Sequence, residues 1–486
     1  MTSWRIGRSC ESFDTMSALD ATFLDIESDR TPMHVGALSI FDGDPFRDAD
    51  GRFRLEQVRD HVAGRLHLVP GLRRRTVTSW GGTGRPVWVD DDEFNIERHV
   101  QLRHLPQPGD DRQLAALCSE LQMATLDRRH PLWELWFIDG LEDGSVALVE
   151  KIHHAMVDGV SDVDVAAALL DLSANEPPAS TQASQSAGVI SDWNPRPAPN
   201  QTQLLVHSGV EMLAAPGRWL ARSASLLARP SELIAGVGGI ADALWSLQRS
   251  EHPVRTSLDR SVGTRRSLRW VRRPLAALIE AAHVHEVTLN DLALSAVAAG
   301  QRRLLDGRGE LPVGSDPLAL VPVSTRAPDG HDAAGNQVAA LLIPLPVDLD
   351  SPDDRLAAVR AATEHHKAAH VADGTSLLVD AMDAVPAAAL RQASRLVHRQ
   401  PLVDAVVTNI AGPPFPLFFD GARMALTVPI VPLAGNLSLS VAILSYDGEV
   451  TLGVFADADA CPDIDVFVDG IADELDRLIR GPGAAA

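Results

Sequence analysis

From Met16 onward the apolar positions switch repeatedly between a period of two and a period of three to four. Met33–Phe41 is an apolar run bounded by Pro32 and Asp42-Gly43, which predicts a strand ending in a turn. Leu55–Leu66 has helical spacing, Pro86–Val89 reads as a short strand, and Leu114, Leu117, Leu121 and Ala124 share one face of a helix over Leu114–Leu126. Pro131–Ile138 and Val146–Ile152 predict two strands around a turn-rich connection, and Val160–Leu172 returns to helical spacing. Residues 173–200 are rich in Ser, Ala, Pro, Gln, Thr and Asn and almost without apolar period, the composition of a linker. Leu204–Leu247 predicts helical pieces broken at Pro216-Gly217 and Pro230, with Arg218, Arg222 and Arg229 decorating the first. Beyond them Leu275–Leu305 is strongly helical, Leu318–Val323 and Val338–Val347 are strands, Leu356–Ala369 is a helix, and Val403–Thr408 and Leu437–Leu444 are strands.

The pattern predicts an α/β protein with two mixed units. Residues 1–15 are an extension without periodicity, expected to be disordered; 16–172 form the first unit, 173–200 a flexible linker, 201–252 an amphipathic helical segment, and 253–486 the second unit.

Charge narrows the function. Against 43 basic residues stand 65 acidic ones, a net charge of −22, which argues against bulk nucleic-acid binding and requires any polyanionic ligand to meet a local arginine cluster. The three cysteines, Cys10, Cys118 and Cys461, are odd in number and far apart, so they build neither a disulfide framework nor a metal site, and a reducing, cytoplasmic setting fits. The first fifteen residues lack a signal-peptide core, and nothing later reaches the ~18 apolar residues of a membrane span.

The candidate chemistry lies in His153-His154-Ala155-Met156-Val157-Asp158-Gly159, between a predicted strand and a predicted helix. A strand end projects a side chain into a cleft from a rigid support. A histidine, with an ordinary pKa of ~6.5, can take a proton near neutral pH and return it. His154 is the candidate base, His153 its support, Asp158 the organiser of the motif and Gly159 its turn. No cysteine or third histidine stands close by, so no metal is expected.

His-His-x-x-x-Asp-Gly in this setting resembles the acyltransferase superfamily of chloramphenicol acetyltransferase, carnitine acyltransferases and peptide-synthetase condensation domains. Within it the chain resembles bacterial wax ester synthase/acyl-CoA:diacylglycerol acyltransferases from about Met16 to the C-terminal region. Leu19-Asp20, Phe23-Leu24, Pro32-Met33-His34-Val35-Gly36, Pro131-Leu132-Trp133, Asn290-Asp291, Gly335-Asn336, Thr408-Asn409 and Gly421-Ala422-Arg423-Met424 carry that likeness in order. Ser324-Thr325-Arg326 and Ala411 depart from the family pattern without touching the candidate base.

The resemblance implies two chloramphenicol-acetyltransferase-like domains with the reaction in a tunnel between them. It also implies transfer of a long-chain acyl group from acyl-CoA to diacylglycerol or a long-chain alcohol, without an acyl-enzyme, a metal or a prosthetic group. Asn290 is then a candidate oxyanion donor or structural support, with helix N-cap as its alternative. Arg265, Arg266 and Arg326 are candidates for the CoA phosphates, against the alternative of a solvated basic surface. Pro131, Leu132 and Trp133 are candidates for the acyl channel, against plain core; Asp291, Asn336 and Asn409 are further substrate-side candidates. The arginine-bearing helical segment suggests peripheral contact with a membrane or lipid droplet. Two rival readings are a carrier-protein-dependent condensation-type enzyme and a non-catalytic lipid-binding homologue.

Overall fold

The computed structural model describes residues 14–82, 84–157, 168–174, 193–210, 256–324, 338–368, 387–397 and 403–481. The first half runs β1 (Asp14–Thr15), α1 (Ala18–Ile26), β2 (His34–Phe41), α2 (Leu55–Arg65), β3 (Arg74–Val77), β4 (Val87–Asp90), α3 (Ile96–His99), β5 (Val100–His104), α4 (Asp111–Met123), β6 (Trp133–Asp139), β7 (Val146–His153) and α5 (His154–Val157). The second runs β8 (Arg266–Pro274), α6 (Leu275–Val284), α7 (Leu289–Gly307), β9 (Leu318–Ser324), β10 (Val338–Pro344), α8 (Pro352–Ala368), α9 (Ala387–Val397), β11 (Ala405–Ala411), β12 (Phe418–Phe419), β13 (Ala422–Ile430), β14 (Leu439–Tyr446), β15 (Glu449–Asp457) and α10 (Ile464–Arg480). Most of the helix predicted over Val160–Leu172 and of the segment predicted over 201–252 lies outside the described residues; residues 201–210 are helical.

The α/β expectation holds: each half builds a six-stranded sheet, ordered β12-β13-β2-β7-β6-β5 and β10-β9-β11-β14-β15-β8. The halves are not separate in sequence, however. β12 and β13, read as part of the 253–486 unit, complete the first sheet, with β13 antiparallel to β2. Pro429, which has no N–H to give, is tolerated there because β12 covers only Ala422 and Arg423, leaving the rest of β13 as the sheet's edge. A methyl group on Gly453 of β15 would stand 2.2 Å from the Pro429 carbonyl oxygen, so glycine is needed where the second sheet presses on this crossing strand. Around the crossing, Leu38, Ile138 and Val149 from the first half share one core with Leu268, Val428 and Phe455 from the second, beneath Leu114 and Leu121 of α4.

Three further expectations change. Asp14 and Thr15 are not a disordered tail: they pair with Trp88 and Val87, and Met16 N–H donates to Pro86 O at 2.9 Å. The linker's end is anchored, since the Arg73 guanidinium sits 4.6 Å over the Trp193 ring and Arg196 N–H donates to Asp90 at 2.9 Å. The long helix over Leu275–Leu305 is two helices, broken where Glu286 takes a positive φ of 54° before Thr288 caps α7.

Gly36 sits where β2 meets β7 below the candidate base. A methyl group there would stand 1.9 Å from Glu150 O and 2.7 Å from the Gln122 side-chain amide. Gly36→Ala is expected to destabilise the fold by about 1–3 kcal/mol through overpacking, measured by denaturant unfolding; an unchanged midpoint contradicts the packing argument.

Candidate active site

β7 is hydrogen-bonded on both sides, to β2 and β6, and ends at His153; the chain then turns at once into α5 with His154. The pairing continues one step beyond the strand: His153 N–H donates to Leu132 O at 2.9 Å and His154 N–H to Met33 O at 2.7 Å. Both histidines therefore stand on a fixed backbone, with their rings in different surroundings.

The His154 ring is half-buried and stacks on Phe23 of α1, with centroids 4.0 Å apart and 24° between planes. Burial pushes its pKa down to about 4. Its Nδ1 is buried without a hydrogen-bond partner.

The His153 ring is fully buried. Ala155 N–H donates to its Nδ1 at 3.0 Å, which leaves the proton on Nε2, 3.3 Å from Oε1 of Glu27. The same carboxylate oxygen lies 3.3 Å from Nε2 of His34, whose Nδ1 is 3.1 Å from Gln122 O. Arg128 donates to the other oxygen, Oε2, at 2.7 Å. Burial alone would raise the Glu27 carboxyl, but the contacts from His153, His34 and Arg128 hold it well below the usual carboxylate range. His34 is pushed down, chiefly by burial.

α1 and the residue that caps its C-terminus therefore present two groups toward the motif, Phe23 under His154 and Glu27 against His153. On its other side it is clamped by the second half, where Arg391 of α9 donates to Asp25 at 3.0 Å and to Gly82 O at 2.7 Å.

Other predicted site residues are less concentrated. Asp158, Gly159, Arg326 and Asn336 lie outside the described residues. Leu132 and Trp133 are core: the indole N–H donates to Leu72 O at 2.7 Å and the ring stacks 4.3 Å from His99. Pro131, beside them, is buried as well.

Asn290 is not the N-cap of its helix. Thr288 holds that place in a capping box with Asp291, and Asn290 is half-buried in the first turn. Asp291 is occupied by that box and by Thr363 Oγ1, which donates to it at 2.8 Å, so the substrate-side reading gives way to a structural one. Asn409 is exposed on β11.

The arginine cluster also reads differently in three dimensions. Arg265 is paired with Asp459, and buried Arg266 with Asp457 at 3.3 Å. Arg269, Arg272 and Arg273 meet Asp465, Glu449 and Asp476 at 2.6, 3.3 and 2.6 Å. β8 is thus a strand laced by ion pairs to β15, α10 and the turn between them, and Arg265 and Arg266 are not a free phosphate patch.

Sequence reasoning missed Glu27, Lys151 and Glu134. Lys151 is buried on β7 and donates to Glu134 of β6 at 3.1 Å. Nothing in local spacing joins Glu27 to the histidines; the signal available was only its place one turn after Phe23 in the N-terminal motif.

The wax ester synthase/diacylglycerol acyltransferase catalytic-domain profile matches residues 16–293, and the C-terminal-domain profile of the same family matches 334–479. The chain belongs to this family. It is an acyltransferase. A probable diacylglycerol O-acyltransferase of Mycobacterium tuberculosis strain H37Rv is 32% identical over 96% of this chain and 95% of the relative. A putative diacylglycerol O-acyltransferase of Mycobacterium bovis is 30% identical over 97% and 100%. Among solved structures, the wax ester synthase/diacylglycerol acyltransferase of Marinobacter aquaeolei VT8 superposes with a TM-score of 0.65 at 23% identity, covering 96% of this chain and 98% of that one. The first condensation domain of the calcium-dependent antibiotic synthetase gives 0.57 at 15% identity, with 98% of each chain covered. This acyltransferase thus shares its two-sheet fold with enzymes of both kinds.

Proposed function

We propose that the protein transfers a long-chain acyl group from acyl-CoA to the hydroxyl of diacylglycerol, and also to long-chain alcohols, with His154 as general base. The observation carrying this reading is the His154 ring itself, a half-buried imidazole held neutral at a strand end and stacked on Phe23. Nδ1 is buried without a partner, and Nε2 is assigned as the nitrogen that meets the acceptor hydroxyl. It takes the hydroxyl proton as that oxygen attacks the thioester carbonyl. The tetrahedral intermediate collapses, the C–S bond breaks, and the proton passes from Nε2 to the departing CoA thiolate. Atoms and charge balance without an acyl-enzyme, a metal or a prosthetic group.

Burial keeps the base unprotonated down to about pH 4. The acid limb of kcat/KM for the free enzyme is therefore expected near that value, whereas an unperturbed histidine would place it at ~6.5. A rate profile between pH 4 and 8 checks this, and a limb near 6.5 contradicts the described environment.

For the acceptor, purified protein is given palmitoyl-CoA with diacylglycerol and a long-chain alcohol side by side, and products are separated as lipids. Triacylglycerol, wax ester or both supports the reading. Ester formation only from an acyl-carrier-protein thioester would move it to the carrier-dependent class, and tight liposome binding without turnover to a non-catalytic one.

No described helix is long and apolar enough to cross a membrane. Peripheral contact with a membrane or lipid inclusion on the cytoplasmic side is part of the proposal. Its support is the helix over 201–210, which exposes Leu205, Val206 and Val210 as it leads into the arginine-bearing segment, together with Trp80, 71% exposed.

A further inference from the structure

Phe23-Leu24 sits on α1, and its two side chains are treated differently by the fold. Leu24 is 6% exposed in the same core as Ala21, whereas Phe23 is half-buried at the edge of that core. What Phe23 meets there is the His154 ring, stacked with 4.0 Å between centroids and 24° between planes. A large apolar side chain thus stands beside a half-buried imidazole, at the point where the candidate base faces out of the core.

A base of this kind depends on the plane of its ring. The lone pair of an imidazole nitrogen lies in that plane, so a turn about the Cβ–Cγ bond swings Nε2 away from the acceptor hydroxyl, and this bond has no narrow torsional well of its own. The neighbouring histidines are held by hydrogen bonds: Ala155 N–H donates to His153 Nδ1 at 3.0 Å, and His34 Nδ1 is 3.1 Å from Gln122 O. Nδ1 of His154 has no such partner. Among the described residues, the flat contact its ring makes is the one with Phe23. The platform under that contact is fixed. Ser17 Oγ accepts from Asp20 N–H at 3.0 Å at the start of α1, Arg128 donates to Leu24 O at 2.7 Å toward its end, and Arg391 of α9 donates to Asp25 at 3.0 Å. Asp25 stands two residues from Phe23, about 200° around the helix, so α1 is gripped from behind while it presents Phe23 to the base. We infer that Phe23 is a positioning residue of the acyl transfer: its ring is the flat surface against which the His154 imidazole is set, so that Nε2 stays aimed at the acceptor hydroxyl. This deepens the reading of His154 as base and rests on it.

Phe23→Leu keeps the apolar bulk and removes the flat face. Its kcat is expected to fall about 10- to 100-fold, with KM for palmitoyl-CoA and for diacylglycerol within about twofold of the parent, because aligning the base matters in the transition state and not in substrate binding. Phe23→Tyr keeps the ring and is expected to stay within about threefold of the parental kcat. Circular dichroism and a melting curve accompany each variant. A side chain that only filled the core would cost stability in Phe23→Leu and leave kcat of the folded enzyme where it was. Parental kcat in folded Phe23→Leu overturns the proposal, as do a raised KM at unchanged kcat and equal losses of kcat in Phe23→Leu and Phe23→Tyr.

Should Phe23→Leu not fold, NMR of the histidine rings of the parent, with His154 assigned by its loss in His154→Gln, reads the stack directly. His154 ring protons displaced upfield by the ring current of Phe23 support the proposal, and ring protons at their ordinary positions overturn it. His154→Ala in the rate assay separates the two levels. An active His154→Ala enzyme removes the base assignment and this role with it, whereas an inactive one beside a fully active Phe23→Leu removes only the role of Phe23.

Discussion

His154→Ala is expected to lower kcat by about 10²- to 10⁴-fold while leaving the fold intact, the range that a positioned general acid–base supplies. The fold survives because the backbone bonds that seat this residue do not involve its side chain: His154 N–H still donates to Met33 O, and β7 keeps both neighbours. What is lost is the ring over Phe23 and the nitrogen that moves the proton. Rates of CoA release, set beside circular dichroism and a melting curve, check both halves of the expectation. A folded His154→Ala enzyme with parental kcat would remove the base assignment outright.

Glu27→Ala is expected to damage stability and rate together. Its carboxylate is 5% exposed at the side chain, accepts from Arg128 at 2.7 Å and lies 3.3 Å from His153 Nε2. Deleting it takes the negative charge away from the buried His153 ring and leaves the half-exposed Arg128 guanidinium to solvent, a loss of about 1–3 kcal/mol. The pH dependence has a definite sign. Since the folded carboxyl lies well below its unfolded value of ~4.3, its contribution is present in full above that value and is lost as pH falls below it. The stability gap between parent and Glu27→Ala is therefore widest between about pH 6 and 8 and narrows below about pH 4. Denaturant unfolding at several pH values measures it, and a gap independent of pH contradicts the carboxylate's role. At pH 7 the rate should fall about 10- to 100-fold, the order seen when the partner behind a functional histidine is removed.

Local structure was legible in this sequence wherever a periodic run ended in turn chemistry. The strand before the motif, the helix over α2 and the strand ending at Phe41 were bounded by such signals, and the structure has them within a few residues. The break between α6 and α7 was not legible because His285-Glu286-Val287-Thr288 contains neither glycine nor proline; Glu286 itself takes the left-handed turn. β13 read as part of the second unit because strand pairing is a long-range choice. Only Pro429, fitting an edge, hinted at its place.

The candidate base was visible because its motif is contiguous. Its surroundings were not, since Phe23, Glu27 and His34 come from α1, the residue that caps it and β2, and their meeting with the motif depends on register. Arg265 and Arg266 read as a phosphate site for the same reason: Asp459 and Asp457, which pair with them, lie far along the chain at the end of β15 and in the turn after it.

Direct transfer to the acceptor, with His154 moving the proton, requires that no residue carry the acyl group. The most direct measurement mixes purified protein with a stoichiometric excess of palmitoyl-CoA in the absence of acceptor, follows CoA release by rapid quench, and weighs the intact protein. Direct transfer gives no burst of CoA and no added acyl mass until diacylglycerol or alcohol is supplied, when CoA and ester appear together. A burst matching the enzyme concentration, with a palmitoyl group on the protein before any acceptor is added, would contradict it.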